Sequence, residues 1–295
     1  MTLHSPASIK PLQGVRILSL ALNLPGPAAL MRLGRMGAAC LKLEPPAGDP
    51  MCHYSPVAYA QLHEGIDVQT ADLKTSAGQE QLHRELARTD VLLTSFRPSA
   101  FARLGLDWAR LHRQHPALSQ VAIVGCPGIR ADEPGHDLTY LADSGLVPGL
   151  ELPTTLYADM GGSLAVSEAV LQALLLGRGA SKTTEGLYTE VALSDAAAYL
   201  ALPRQWGLTR PDGWVGGAHA GYQVYACRDG RVAVAALEPH FAAALCAAAG
   251  VADASLAGLL APATRQRMAE FFMTQTRQEL DRLGREKDIP LHTLA

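Results

Sequence analysis

The sequence predicts an α/β fold: an open, doubly wound parallel sheet of the Rossmann-like kind, without a dinucleotide motif, followed by a second, small α+β domain. Up to residue 202, short apolar runs alternate with segments of helical periodicity, as strands covered by helices on both faces require. Beyond residue 221 the order changes to a hairpin followed by helices. The turn after the first apolar run reads Leu22-Asn23-Leu24-Pro25-Gly26-Pro27, not G-x-G-x-x-G. Its prolines delete amide donors that would cradle a pyrophosphate. A nicotinamide enzyme is therefore excluded.

Residues 15–20, an apolar run after Gly14, make the first strand. Pro25-Gly26-Pro27 punctuates the chain, and 28–36 form a helix ending at Gly37. Strand 40–43 is closed by Pro45-Pro46. Helix 79–88 leads into strand 91–93, and helix 108–114 into strand 120–124. A long apolar helix follows Asp159 to about Leu176. The non-periodic stretch 203–221, with its prolines, tryptophans and glycines, reads as a linker. Runs 222–227 and 231–237 flank Asp229-Gly230, a hairpin signal. Residues 241–249 form a helix stopped by Gly250, and 264–273 form another. Thr276-Arg277-Gln278-Glu279 has capping-box spacing for a last helix to about residue 285. The expected domains are 1–202 and 222–295, joined by a linker at 203–221.

Composition narrows the function. The 295 residues are 48% hydrophobic and 18% charged, with a net charge of −3 and no basic run, which argues against a nucleic-acid partner. The apolar stretch 196–203 is too short to cross a bilayer, and residues 1–14 lack the sections of a secretory leader. Five dispersed cysteines without a C-x-x-C pair suit reduced thiols, not a disulfide framework or a metal site. The expectation is a cytoplasmic protein with no membrane, metal or nucleic acid.

An ordered series of motifs then carries a resemblance. Residues 11–18 (Pro-Leu-Gln-Gly-Val-Arg-Ile-Leu), Pro25-Gly26-Pro27, Gly37-Ala38 and Glu44-Pro45-Pro46-Ala47-Gly48-Asp49-Pro50 resemble the opening of the family III CoA-transferases of the CaiB/BaiF type. The likeness continues through Asp72-Leu73-Lys74, Phe96-Arg97-Pro98, Arg103-Leu104-Gly105-Leu106, Gly135-His136-Asp137, Ala158-Asp159-Met160-Gly161-Gly162 and Leu237-Glu238-Pro239. Within the family the pattern is most similar to the α-methylacyl-CoA racemase branch.

That resemblance implies a substrate and a site. Asp159 matches the carboxylate on which transferases build a covalent acyl intermediate and which racemases use as acid and base. His136 matches the racemase histidine, and Glu238 a supporting racemase glutamate. Lys42, Arg97 and Arg103 match positions that contact coenzyme A, which is part of the substrate and not a prosthetic group. The implied reaction is racemisation of a 2-methylacyl-CoA thioester by two-base proton transfer through an enolate. Alternatives are a CoA-transferase with Asp159 as nucleophile and a non-catalytic acyl-CoA-binding paralogue. On position alone, an aspartate ahead of a helix is an N-cap. The amides around Gly161-Gly162 are expected as donors to the enolate oxygen. The chain departs from the family at 51–53, at 63–67, at Ser99 and in the short spacing from His136 to Asp159. A homodimer formed by arm exchange is expected, with Glu238 serving the partner's site.

Overall fold

The computed structural model of the protein describes residues 9–178 and 185–295. The chain divides into two units, Met1–Ala201 and Leu202–Ala295.

The first unit is built on six parallel strands: β1 (Arg16–Ser19), β2 (Ala39–Glu44), β3 (Asp67–Thr70), β4 (Val91–Thr94), β5 (Ser119–Val124) and β6 (Tyr188–Ala192). Their spatial order is β3-β2-β1-β4-β5-β6, with all neighbours parallel. The chain winds outward from β1 to β3, then returns to the centre and winds the other way from β4. The reversal leaves a crevice at the carboxyl ends of β1 and β4, where open α/β sheets bind ligands.

Alternation within each strand explains the two covered faces. Ile17 and Leu93 point to the side of the helices Pro25–Arg35 and Tyr157–Arg178, packing with Leu30, Leu33, Val166 and Val170. Their neighbours Leu18 and Leu92 point the other way, against Leu82, Leu86, Leu106 and Leu111. The central strands are therefore mostly apolar, as burial on both faces demands, with buried polar residues such as Ser19, Thr94 and Gln120 at their ends. Leu92 is fully buried, so Leu92→Ala should cost about 2–5 kcal/mol.

Several elements differ from the sequence reading. Pro25 and Pro27 lie inside the first turn of helix Pro25–Arg35, where a missing N–H goes unused, so they start the helix instead of preceding it. Gly26 is required there, because a Cβ would sit 2.2 Å from Ala21 Cβ. Strand β3 carries the polar sequence Asp-Val-Gln-Thr and was not foreseen: as an edge strand it is largely exposed and lacks an apolar run. Strand β6 and the helices Met51–Tyr54, Pro56–Leu62, Pro98–Arg103, Asp137–Asp143 and Leu193–Leu200 were also unassigned. The segment Tyr157–Gly177 is long and apolar enough to cross a membrane by length and composition, a feature the 196–203 reading overlooked. In the structure its Val166, Ala169 and Val170 belong to the main core.

The second unit has an antiparallel sheet of β7 (Tyr222–Cys227), β8 (Gly230–Ala235) and β9 (Leu291–Leu294). Tyr225, Val232, Leu245, Met268, Phe272 and Leu280 form its core with the helices Pro239–Ala249, Pro262–Met273 and Arg277–Lys287. Gly250 ends the first of these helices at φ 67°, a left-handed position that favours glycine. Thr276 Oγ1 accepts from the Glu279 amide while a Glu279 carboxylate oxygen accepts from the Thr276 amide, closing the expected capping box. The stretch 203–221 carries helical turns at Leu202–Gln205 and Trp214–Ala218 and is tied to the unit it precedes. The Ala220 amide donates to the Leu259 carbonyl at 2.9 Å, and Arg265 to the Ala218 carbonyl at 3.0 Å.

Candidate active site

A cavity of about 280 Å³ opens at the carboxyl ends of β1, β4 and β5, in the crevice where the winding reverses. Its walls include Asn23, Arg97, Gly135, His136, Tyr140 and Asp159. The segments after three different strands meet there, and the connection from β5 to β6 supplies both residues expected as catalytic partners.

Asp159 lies in the first turn of helix Tyr157–Arg178, so it is not the helix cap that position alone suggested. The long apolar helix is anchored in the core and delivers the carboxylate to the strand ends. Burial pushes its pKa up to about 6, Asp137 pushes in the same direction, and His136 opposes both. The Asp159 amide donates to the buried Asp137 carboxylate at 3.0 Å. His136 caps the helix Asp137–Asp143, and its amide donates to Thr139 Oγ1 at 3.0 Å. Its ring stays exposed on the cavity wall.

The expected role of Gly161 and Gly162 is corrected. Both lie within helix Tyr157–Arg178 and serve its packing: a Cβ on Gly162 would lie 2.3 Å from Leu193, and one on Gly161 3.1 Å from Leu200. Just ahead of them, the Met160 amide is bonded to the Leu156 carbonyl at 3.0 Å. Donors for a substrate oxygen must come from elsewhere on the wall. The first-turn amides of Asp137 and Leu138 have no acceptor within their own helix, but neither residue lines the cavity.

Lys42 is also placed differently from the expectation. It is fully buried, and its ammonium bonds Asp49 at 2.5 Å, Glu44 at 2.9 Å and His63 at 2.9 Å. All its donors are used inside the protein, so it does not stand where a solvated phosphate would meet it. Burial, and then the Lys42 charge, hold His63 below the ordinary imidazole range. Glu44, Asp49 and His63 converge closely enough to hold a metal ion, and the Lys42 ammonium supplies the cation at that point. The cluster also shapes the cavity. Both Asp49 oxygens accept from the Asn23 amide at 3.1 Å, holding that residue at φ 64° on the cavity wall.

Arg97 and Arg103 flank the short helix Pro98–Arg103, and both side chains are exposed. Arg97 lines the Asp159 cavity. Arg103 lines a larger one of about 670 Å³ with Lys74, Thr75, Gln79 and His83. A small intermediate cavity of about 100 Å³ shares Phe96 with the first and Leu73, Lys74 and Leu104 with the second. The shared wall residues place the intermediate cavity between the other two, at the carboxyl ends of β1 to β4. Lys74, in the Asp72-Leu73-Lys74 motif, is a cation on the wall of the Arg103 cavity to which the sequence alone gives no role. Tyr140 was missed as well, although it follows His136 by one helical turn, a spacing that places side chains on one face. Glu238 belongs to the second unit, exposed at the N-cap of helix Pro239–Ala249.

Comparison with known proteins identifies the family. The CoA-transferase family III model matches residues 12–295. The human protein named alpha-methylacyl-CoA racemase is 27% identical over 290 residues, covering 91% of this chain and 73% of its own length. Cinnamoyl-CoA:phenyllactate CoA-transferase of Clostridium sporogenes is 34% identical over 149 residues, covering 46% of this chain and 36% of the relative. A hypothetical protein from Mycobacterium tuberculosis superposes with a TM-score of 0.81 at 23% identity, covering 97% of this chain and 84% of that one. Strand order, motif order and a match over nearly the whole length agree: this chain belongs to family III of the CoA-transferases, whose members include both racemases and transferases of acyl-CoA.

Proposed function

We propose that the protein racemises a 2-methylacyl-CoA thioester by moving a proton on and off the α-carbon. The observation that carries the reading is the pairing of Asp159, raised to about 6, with His136 on the wall of one cavity. Racemisation needs a base on one face of the carbon and an acid on the other, both exchanging protons near neutrality. A carboxyl raised to about 6 and an imidazole meet that requirement. The thioester occupies the Asp159 cavity, the pantetheine arm follows the intermediate cavity, and the nucleotide phosphates meet Lys74, Arg103 and Arg97.

A second reading, CoA transfer, is supported by relatives of comparable similarity that are named CoA-transferases. In it Asp159 attacks the thioester carbonyl, expels CoA thiolate and becomes an acyl anhydride. Incubation with a panel of acyl-CoA thioesters in deuterated water separates the two. Racemisation incorporates deuterium at the α-carbon without a second acid. Turnover only when an acceptor acid is added, with a hydroxylamine-trapped adduct at Asp159, establishes transfer instead.

The proposal extends to a homodimer formed by arm exchange, in which Glu238 of one protomer serves the site of the other. Mixing inactive Glu238→Ala with inactive Asp159→Ala restores activity in that arrangement. Persistent inactivity of the mixture rejects it.

A further inference from the structure

We infer that the Tyr140 hydroxyl is a catalytic hydrogen-bond donor to the acyl carbonyl oxygen of the substrate, the atom on which negative charge collects during the reaction. The inference rests on an acyl thioester entering the Asp159 cavity. It is the same for racemisation, where the charge is that of an enolate, and for transfer, where it is that of a tetrahedral adduct.

Geometry singles out this hydroxyl. Tyr140 is only 7% exposed, yet it contributes to the cavity wall that holds His136 and Asp159. Its oxygen is clamped between two glycines on different segments. A Cβ added to Gly125, just after β5, would lie 2.3 Å from it, and one added to Gly135 would lie 2.5 Å from it. Both positions must therefore be glycine for the phenol to sit where it does, and the clamp fixes the oxygen before any ligand arrives. Such fixing is what makes a donor effective, because no reorganisation is needed when charge develops.

Chemistry agrees. Among the described residues no hydrogen bond engages the Tyr140 hydroxyl, and it is not among the polar atoms sealed from solvent. A half-enclosed donor without a partner, facing a cavity, is an unusual condition for a tyrosine. Burial, with the nearby Cys126 and Asp159, keeps its proton on. It therefore donates a hydrogen bond and transfers no proton; the proton moves between the α-carbon and Asp159 or His136. Of the other candidate donors, the Asp159 amide is taken by Asp137 and the Met160 amide by the Leu156 carbonyl, while the open amides of Asp137 and Leu138 belong to residues that do not line the cavity.

The test is Tyr140→Phe, which keeps the ring and removes only the oxygen. Isotope exchange should fall roughly 100- to 1,000-fold in kcat with KM within a few-fold of wild type and the thermal midpoint unchanged. Wild-type kcat in this variant overturns the assignment, whereas loss of exchange in Asp159→Asn alone leaves the proposed function standing. A binding measurement covers the case in which no assayed acyl-CoA turns over. A nitroalkyl thioether of CoA acquires negative oxygen charge when it ionises to the nitronate. Calorimetry should show wild type preferring the nitronate, Tyr140→Phe losing about 10- to 100-fold of that preference, and the neutral nitro form binding both alike. Equal preference in the two proteins removes the donor role. No binding of either form removes both the donor and the proposed function.

Discussion

Two clusters of ionisable side chains lie at strand ends of the same sheet in opposite electrostatic condition. Behind β2, Lys42, Glu44, Asp49 and His63 are buried and mutually bonded. Lys42 is met by two carboxylates and an imidazole, and the remaining acceptors are filled by the Asn23 and Met51 amides and the Tyr59 hydroxyl. At the crevice, Asp159, His136 and Tyr140 share a cavity, and among the described residues no hydrogen bond engages the Asp159 carboxylate or the Tyr140 hydroxyl. The first cluster resembles a binding site by residue type and behaves as a buried salt bridge. The second holds an unpaired carboxyl pushed up by burial. Satisfied valences indicate structure, and unsatisfied ones beside a cavity indicate chemistry.

The largest expected effect lies in the open cluster. His136→Ala and Asp159→Asn should each reduce racemisation about 100- to 10,000-fold. Each variant should still exchange the α-proton of one stereoisomer, as followed by chiral analysis with deuterium incorporation. Full racemisation by either variant would end the two-base reading.

Next comes the closed cluster. Lys42→Met strands two buried carboxylates and should destabilise the fold by about 3–5 kcal/mol in urea unfolding. An unchanged midpoint would show that the network is not structural. If Lys42 instead contacts CoA, affinity falls and stability stays.

Smaller effects follow for the arginines. Arg97→Ala and Arg103→Ala should each weaken CoA binding roughly 10-fold at low salt, with the difference shrinking as ionic strength rises. Calorimetry on wild type should give a dissociation constant on the order of tens to hundreds of micromolar. Salt-independent binding in wild type would place the phosphates elsewhere.

The smallest effect is a stability gain from losing the open carboxyl's charge. Asp159 rises from its ordinary 3.8 to about 6 in the folded chain, so its ionised form opposes folding. The native state therefore has its full relative stability below about pH 4 and loses some as pH rises through about 6. Asp159→Asn should melt roughly 2–4 °C higher than wild type at pH 8, with the gain disappearing toward pH 4. A constant difference across that range would mean that Asp159 is not raised.

Local signals in the sequence determined the central strands, the hairpin around Asp229-Gly230, the Gly250 helix stop and the Thr276 capping box. Each depends on neighbours within a few residues, where periodicity and turn chemistry act. The polar edge strand β3 and the terminal strand β9 were not legible, because short pairing segments borrow their order from partners distant in sequence. The motif order also placed His136 and Asp159 as a pair without showing how they meet. Tertiary structure alone decided which charged groups would be sealed and which left open. Lys42 lies inside strand β2 between Leu41 and Leu43, and Arg97 stands three residues beyond β4 ahead of Pro98, but those flanks do not tell which of the two cations is bonded internally. One is drawn under the loop carrying Asp49, and the other stays at the rim of a crevice created by the reversal of winding. Burial and hydrogen-bond satisfaction are properties of the packed chain, set by segments far apart in sequence, and they decide whether a charge supports the fold or faces a substrate.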